Sequence, residues 1–484
     1  MAASPNRPSP GSSAFPAPAW PAPQRRRLAK DAAPLSPATG EVTGSRPSPL
    51  YSVRFGEVWN FVRRQPASFI LVCFYLFMEY VRPQQIWTVI AGPPYSKFII
   101  GLAIVAFFLE GRKIRLGMPE FWLGLFTLIV LASSVMSLWP DDSYADLSIY
   151  LSWVVIYVLI ANSNDTEERF LVFALSFILY SFKMAQHGTR SWAADGFAFR
   201  NWGANGAPGW FSNSGEFAIQ MCVFLAIVVC FTRSLAKYWP KWKRYLFWSM
   251  PVCAVISIVA SSSRGGLVGL GAVALWLLLK SRYKVRALIG TAVLAVSVYF
   301  LLPEAQIQRL QNMGDDVTSV SRTDLWNHGL KIMSEYPVLG IGYKNWLTYH
   351  ELHYGLRLLP HNIFIEAGSE LGFVGLLTFV VLIGVTLLVN HRTRKLMKGR
   401  GEEGRFIFEM SHGLDAALIG YLACGFFVTV LYYPFFWINL AMTVSLHNAA
   451  LNKLQRSGSS VPLQSRGRGR TPQVGSGRAR RIYA

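Results

Sequence analysis

Twelve apolar segments follow one another between residues 67 and 451, and they constrain the fold of this chain more than any other feature. A helix needs about 17 to 25 mostly apolar residues to cross a bilayer, and most of these segments approach that length. Hydrophobic residues make up 52% of the chain and charged residues only 15%, which excludes an ordinary soluble protein. The sequence therefore predicts an all-α, polytopic membrane protein with about 12 transmembrane helices. The segments centre on 67–81, 95–110, 119–138, 147–161, 168–185, 214–232, 245–262, 266–280, 286–302, 363–389, 412–431 and 434–451.

Much of the formal net charge of +21 lies in the two tails of the chain. Residues 1–50 hold six Lys and Arg against two acids, and residues 453–484 hold eight against none. Such stretches bury too little apolar surface to order themselves, so we predict disordered cytoplasmic tails around a transmembrane domain at 51–452. The tails bind anionic lipids of the cytoplasmic leaflet or simply stay solvated, and no nucleic-acid partner is expected.

The loops between the apolar segments alternate in charge. Loops after even-numbered segments are the more basic ones, with five Lys and Arg in 233–244 for example. Since Lys and Arg beside a span are retained in the cytoplasm, both termini are predicted to be cytoplasmic and the other loops periplasmic. The longest periplasmic loop, 303–362, lies between segments nine and ten. Its pattern predicts an amphipathic helix at about 321–335, acting as a lid or as a structural cap.

Arg264 interrupts two apolar runs and is the first candidate for chemistry. An arginine near hydrocarbon depth costs about 3 kcal/mol, so one kept there usually faces a wet cavity or an anion. A guanidinium grips a phosphate with two hydrogen bonds, and the hydroxyls of Ser261, Ser262 and Ser263 add possible donors. The alternative is an arginine that snorkels to the interface and anchors a helix end.

Arg200 and Arg82 lie at two further junctions on the same predicted side. Arg200 is surrounded by glycines, amides and aromatic residues, which is typical of a loop that contacts a sugar or a lipid headgroup. An ordinary interfacial loop with an aromatic belt explains the same composition. Arg82, in Tyr80–Gln84, allows the same two interpretations.

His361 stands between Pro360 and the start of the tenth apolar segment. A periplasmic histidine can take a proton from a hydroxyl or hydrogen-bond a phosphate, and the alternative is an imidazole that caps the helix. His350 and His353 suggest a metal only weakly, because no third ligand has the right spacing, and a solvated loop is the preferred interpretation. No Walker loop, dinucleotide-binding glycine motif, GxSxG elbow or HExxH helix occurs in the chain.

Three ordered motifs resemble those of the bacterial O-antigen ligase and O-antigen polymerase superfamily. The run from Pro360-His361-Asn362 to Leu377, which includes Glu366, resembles the PHN-x-(F/Y)-x-E…E-L-G-x-x-G-L signature. Ser263-Arg264-Gly265-Gly266 resembles the SRG motif. Arg322-Thr323-Asp324-Leu325-Trp326 with 337–342 resembles R-x-x-x-W…P-x-x-G-x-G. The resemblance covers roughly residues 190–390.

This resemblance implies an inner-membrane glycosyltransferase of the GT-C type. Such enzymes transfer a glycan from undecaprenyl diphosphate to a periplasmic acceptor, with inversion and without a metal or other cofactor. It implies catalytic roles for His361, Arg264 and Arg200. Arg82, Arg322, Asn362, Ser263 and Glu366 are predicted to bind substrate. The loop 209–217 departs from the family's G-x-x-x-N-P-N pattern, which leaves the choice of donor and acceptor open.

Several functions remain open from the sequence. Ligation of O-antigen to lipid A core is the leading one, followed by polymerisation of O-antigen or exopolysaccharide and by a ligase that glycosylates protein. Outside the enzymes, a transporter of an anionic solute would also use arginines within the membrane. A transporter is expected to show broken helices or an internal repeat with charges at mid-membrane, whereas here the ionisable residues gather at one face and no repeat is visible.

Overall fold

The structure is a computed structural model that describes residues 48–198, 203–204, 206, 211, 213–281, 283–301 and 317–458. Across these ranges the chain forms α-helices, short 3₁₀ turns and loops, with no strand, so the predicted all-α class is confirmed. The helices are α1 Phe55–Val62, α2 Ala67–Tyr80, α3 Pro83–Ile86, α4 Tyr95–Leu109, α5 Met118–Val135, α6 Pro140–Ser163, α7 Glu167–Ala194, α8 Ser214–Leu235, α9 Lys241–Ala260, α10 Arg264–Lys280, α11 Lys284–Leu301, α12 Val317–Glu335, α13 Trp346–Tyr354, α14 Ile363–Met397, α15 Gly401–Gly425 and α16 Pro434–Gly458.

Each of the twelve predicted apolar segments coincides with one of these helices. Six helices of the described chain are long and apolar enough to cross a membrane: α5, α6, α7, α8 with the turn that follows it, α9 and α14. The protein is therefore a polytopic membrane protein, and a total of about 12 spans stays a prediction. One predicted boundary is wrong, because the segment 412–431 ends as a helix at Gly425 and the chain turns there, with the Phe427 N–H donating to the Cys424 carbonyl.

The most deeply buried helix is α8. Every residue from Glu216 to Val228 on this helix is buried, as expected for a helix that is apolar on all sides and surrounded by others. It packs closely on α10 and α15 through small residues: a Cβ added to Gly266 of α10 would lie 2.6 Å from the Ala218 Cβ, and one added to Gly413 of α15 would lie 2.8 Å from the Cys230 Cβ. All five cysteines are free. Three of them (Cys222, Cys230, Cys424) are buried.

The loops gather at two ends of the bundle. Loops after even-numbered apolar segments lie at one end, and loops after odd-numbered segments lie at the other. At one end, Arg115 bonds Asn452 at 3.1 Å and the Trp239 indole donates to the Tyr51 carbonyl at 2.8 Å. We call this the basic end. At the other end, Leu138 N–H donates to the Ile341 carbonyl at 3.0 Å, and this end holds the candidate site. The cytoplasmic assignment of the basic end stays a prediction.

The longest helix, α14, is broken at Gly372, where the sequence predicts an uninterrupted segment. Gly372 has φ 68° and ψ −175°, and a Cβ there would lie 2.2 Å from the Val338 carbonyl oxygen. The freed carbonyls of Ser369 and Glu370 accept hydrogen bonds from Ile341 N–H at 2.9 Å and Gly342 N–H at 3.1 Å. The break is possible in an apolar region because neighbouring backbone satisfies these groups.

The predicted amphipathic helix of the long loop is present as α12, and a turn follows it, in which the Gly340 N–H donates to the Tyr336 carbonyl. A second helix, α13, was not predicted. It buries His350, so the interpretation of His350 as part of a solvated loop is wrong. His350 instead packs beside Trp346, whose ring centroid is 5.8 Å away, and bonds the His328 imidazole at 3.3 Å.

Candidate active site

Residues 426–433, between α15 and α16, connect the elements that carry the predicted site residues. We call them the junction segment. Three successive residues of it contact the first turns of three different helices. A Cβ added to Gly265 of α10 would lie 3.2 Å from the Phe427 Cβ, and one added to Gly215 of α8 would lie 3.2 Å from a Val428 methyl group. The Thr429 hydroxyl accepts a hydrogen bond from the His361 N–H, just before α14, at 2.9 Å.

Three helix N-termini therefore converge on this segment, and each is capped by a short polar side chain. Asn213 accepts from Glu216 N–H at 3.0 Å, Ser263 from Gly266 N–H at 3.1 Å, and Asn362 from Phe364 N–H at 2.8 Å. Each N-terminus carries a positive partial charge of about half an elementary charge. Their convergence favours a negatively charged ligand, because three helix starts bring positive partial charge to one segment.

Arg264 is the first residue of α10 and stands at this convergence. The turn before it is strained, since Ser262 is a non-glycine residue with φ 54°. Ser261 is not available as a phosphate donor, contrary to the sequence interpretation, because its hydroxyl donates to the Ile258 carbonyl at 2.6 Å. Within the described residues the buried Ser262 hydroxyl oxygen has no hydrogen-bond partner, which makes it the better candidate.

Arg200 lies outside the described residues, so its position is not part of the structure. Residues shortly after it are described and dock against the Arg264 turn. The Ala204 N–H donates to the Ala260 carbonyl at 2.9 Å, and a Cβ at Gly203 would lie 2.0 Å from the Ser261 carbonyl oxygen. The described part of the Arg200 loop thus reaches the serine turn, and the catalytic role of Arg200 stays a prediction.

His361 is held in an unusual conformation beside the junction segment. Its φ is 49°, in the left-handed region that non-glycine residues rarely adopt. The helix cap is Asn362, so the alternative of His361 as a capping imidazole is wrong. Burial, and secondarily the nearby charge of Arg322, lowers the pKa of the His361 imidazole to about 4. The imidazole is consequently neutral at pH 7.

Helix α12 brings Arg322 to His361. The Trp326 indole N–H, one turn along α12, donates to the Pro360 carbonyl at 3.1 Å, and its ring meets the Phe426 ring edge-on at a centroid distance of 5.2 Å. These two contacts attach α12 to both the histidine turn and the junction segment. The predicted helix therefore acts as a structural support that carries a second cation toward the site.

Two buried carboxylates fix the other half of the junction segment. Glu366 is 3% exposed and accepts a hydrogen bond from Leu431 N–H at 3.1 Å. Glu370 is equally buried, and both interact electrostatically with Lys344. The Lys344 ammonium lies 4.9 Å from the centre of the Tyr432 ring. Glu366 thus positions the segment, and its predicted contact with substrate stays a prediction.

Arg82 belongs to the same end of the molecule. It has φ 49°, and its charge interacts with Glu79, Tyr75 and Tyr433, the last residue of the junction segment. Three of the predicted site residues meet this segment through hydrogen bonds or a charge interaction: Arg82, His361 and Glu366. Ser263 and Arg264 directly precede Gly265, which lies against Phe427. Asn362 caps the adjoining helix, and Arg322 faces His361.

Sequence reasoning missed the junction segment and Lys344. The apolar composition of 426–431 predicts the end of a transmembrane helix. The pair Tyr432-Tyr433 before Pro434 could have indicated the junction segment, since proline commonly opens a helix and two tyrosines favour a polar contact. Among the described residues, no group of three His, Cys, Asp or Glu side chains is placed to hold a metal ion.

Comparison with known proteins gives a family match over part of the chain. Residues 250–380 match the family model described as O-antigen ligase. A protein named O-antigen ligase from Pseudomonas aeruginosa is 31% identical over 168 residues, which is 32% of this chain and 39% of that protein. The exopolysaccharide production protein ExoQ from Rhizobium meliloti is 31% identical over 106 residues, 20% of this chain and 24% of ExoQ.

The match to the Pseudomonas aeruginosa protein spans less than two fifths of that protein's length. The family match, 250–380, is narrower than the predicted range 190–390. It includes Arg264, Arg322, His361 and Glu366, and it leaves out Arg82, Arg200 and the junction segment. The resemblance predicted from the motifs is confirmed over residues 250–380, which are similar to the O-antigen ligase family.

Proposed function

We propose that this protein transfers a glycan from undecaprenyl diphosphate to an acceptor at the periplasmic face of the inner membrane, most directly O-antigen to lipid A core. The observation that carries the proposal is the convergence of three helix N-termini on the junction segment, beside Arg264 and the His361 turn. A diphosphate leaving group develops negative charge as its bond to the sugar breaks. Preorganised donors and cations aimed at that charge are a strong source of catalysis.

The residues divide into two roles in this reaction. Arg264, the N-terminus of α10 and Arg200 bind the diphosphate, with Arg322 and Arg82 adding positive potential around it. Neutral His361 accepts a hydrogen bond from the acceptor hydroxyl and orients it toward the anomeric carbon, taking its proton as the new bond forms. The hydroxyl attacks opposite the leaving diphosphate, so the anomeric configuration inverts. No metal or other cofactor takes part in this scheme.

A second transferase function, polymerisation, is favoured by the relative ExoQ, whose name refers to exopolysaccharide production. It uses the same donor chemistry and differs in the acceptor, which is then a second lipid-linked glycan. The two reactions are separated by which acceptor the protein modifies.

Anion transport is the second class, and the broken helix α14 favours it because broken helices are common in transporters. The break is satisfied by backbone from 337–342, however, and the carboxylates on the adjoining half of α14 are buried against protein. These contacts describe a fixed scaffold, which suits a transferase better.

Transfer in reconstituted vesicles tests the proposal. The purified protein receives undecaprenyl-diphosphate-linked glycan with lipid A core or with a second glycan-lipid, in the presence of a metal chelator. Product is expected with one acceptor, and Arg264→Ala and His361→Ala should each abolish it. Arg357→Ala and His353→Ala are matched controls, because Arg357 is 59% exposed in a surface pair with Glu351 and His353 is exposed on α13. Anion passage across the vesicle wall without any product would replace the transferase by a transporter.

A further inference from the structure

A cavity of about 250 Å³ lies beside the junction segment and takes no part in the scheme above. At about 30 Å³ per water it has room for roughly eight water molecules, enough for a single small ring with its substituents. Its walls are mainly aromatic, and it has one acid and one ammonium group. The residues that matter here are Asp146, Trp153, Tyr343, Lys344, Tyr432 and Tyr433.

We propose that this cavity is a glycan-binding subsite, which rests on the proposed transfer of a glycan and adds where the sugar chain is held. A sugar ring has apolar C–H faces that pack against aromatic side chains, and hydroxyls at its edge that need polar partners. The three tyrosines and Trp153 supply the aromatic side chains. Asp146 supplies a hydrogen-bond acceptor and Lys344 a donor. The combination of both charges argues against a simple phosphate site, which would exclude the carboxylate of Asp146.

The backbone around Lys344 is built for a fixed position. Lys344 has φ 62°, a strained value for a residue with a side chain. The neighbouring Asn345 amide donates to the Tyr343 carbonyl at 3.2 Å and to the Ser143 hydroxyl at 3.0 Å, which ties this turn to α6. Tyr343 and Tyr432 meet edge-on at a centroid distance of 4.7 Å. The strain is thus maintained by surrounding bonds, as it is at many binding sites.

The cavity lies within reach of the reaction centre. Tyr432 follows Thr429, the partner of His361, by three residues, and three residues span at most about 10 Å. A glycan whose reacting end lies at His361 therefore places its next sugar ring at the cavity. The occupant is the sugar chain of either the donor or the acceptor, since both carry the same chemistry.

Direct binding tests the subsite independently of transfer. Neutral di- to hexasaccharides of hexoses would be added to the full-length protein in nanodiscs, and saturation-transfer NMR would record their contact with protein. Binding by the wild type is expected, and Lys344→Met and Asp146→Ala should each weaken it about tenfold, the loss of one hydrogen bond to a charged group. Asp141→Ala is the matched control, because Asp141 is an exposed acid on the same helix that does not line the cavity. Inorganic diphosphate should not compete.

The outcomes separate the two proposals. If no oligosaccharide binds, or if both variants bind as well as wild type, the subsite is wrong even where transfer occurs. If oligosaccharides bind at the cavity but no transfer occurs with either acceptor, the proposed function fails and the binding site stands. In the transfer assay Asp146→Ala should raise KM about tenfold for one substrate with kcat within about twofold. A rise for the glycan donor or for the acceptor identifies the chain that occupies the cavity.

Discussion

The two ends of the helix bundle are held together by different means. At the basic end, charged side chains pair with one another, as in Arg169 with Asp165 at 2.8 Å and Arg112 with Glu110 at 3.0 Å. At the site end, capped helix starts meet a turn of the junction segment, and the backbone is strained. Of the six non-glycine residues with positive φ in the described chain, five lie at this end: Arg82, Phe197, Ser262, Lys344 and His361.

The difference between the two ends favours the site end as the place where a ligand binds. Partnered charges neutralise each other and fix the loops, whereas strained residues cost roughly 1 to 3 kcal/mol each and persist only where surrounding structure enforces them. At the site end the structure enforces them beside three converging helix N-termini. The strained residues are therefore concentrated where the proposed transfer needs positive potential before the substrate binds.

The sharpest test of this comparison removes one arginine from each end. Arg264→Ala should lower kcat by about 10²- to 10³-fold, the usual effect of losing one donor to a developing charge. Arg233→Ala, at the basic end, breaks a 3.6 Å pair with Glu409 and should leave transfer within about twofold, since such pairs contribute under about 1 kcal/mol. If Arg264→Ala and Arg233→Ala lower transfer in vesicles equally, the two ends do not differ in their importance for transfer.

A glycine pair on one helix tests whether the break in α14 is required. Gly372→Ala places a methyl group against the Val338 carbonyl at a left-handed backbone position and should cost roughly 2 to 4 kcal/mol of stability. Gly384→Ala, on the same helix, meets nothing within 4 Å and should be neutral or slightly stabilising. Thermal unfolding in detergent measures both. A Gly372→Ala protein as stable as wild type would mean that the helix can close without loss.

Replacing the Thr429 hydroxyl should weaken the contact between the junction segment and His361. Thr429→Val keeps the shape but leaves the His361 N–H without its acceptor, which costs about 1 to 3 kcal/mol. Transfer should fall about tenfold with the KM for donor little changed, because the histidine turn loses its position. Thr429→Ser retains the hydroxyl and should recover most of the activity. If the serine and valine variants are equally active, the hydroxyl does not position His361.

The smallest expected effect is on pH dependence. Since the folded pKa of His361 is about 4, below the usual 6.5, the folded protein binds fewer protons than the unfolded chain between these values. The stability that neutral His361 contributes is full above about pH 6.5 and is lost as pH falls toward 4. Transfer should accordingly stay level from pH 8 to about 5.5. A fall in activity centred near pH 6.5 that persists in the His353→Ala control would contradict the buried position of His361. A fall that disappears in that control is caused by His353.

Much of the fold was predictable because long apolar segments in a membrane have few alternatives to helices. The twelve helix positions and the helix α12 follow from length and periodicity. The break at Gly372 was not predictable from that pattern, since it depends on backbone partners more than 25 residues earlier in the chain, at 337–342. Its glycine is visible in the sequence, but a glycine in an apolar helix has several other uses.

The site was predictable to the extent that motifs carry it. Arg264 is recognisable because an arginine between two apolar runs is rare. Arg264, Arg322 and His361 also fall in family motifs. The sequence does not reveal that Phe427, Val428 and Thr429 contact three separate helix starts, because these are ordinary apolar and hydroxyl residues. The same holds for Lys344, whose left-handed backbone leaves no mark in a sequence.

The break in α14 also separates the site from the mechanics of the bilayer. The portion after the break, 373–397, would be about 37 Å long as a straight helix, and spans of that length tilt to match membranes of different thickness. In a continuous rod that tilt would swing the residues at its outer tip sideways. Here the tip, 363–371, is held by hydrogen bonds to the long loop and the junction segment, and the helix is interrupted at Gly372. We therefore expect the geometry of the candidate site to depend less on the tilt of 373–397 than it would in a continuous helix.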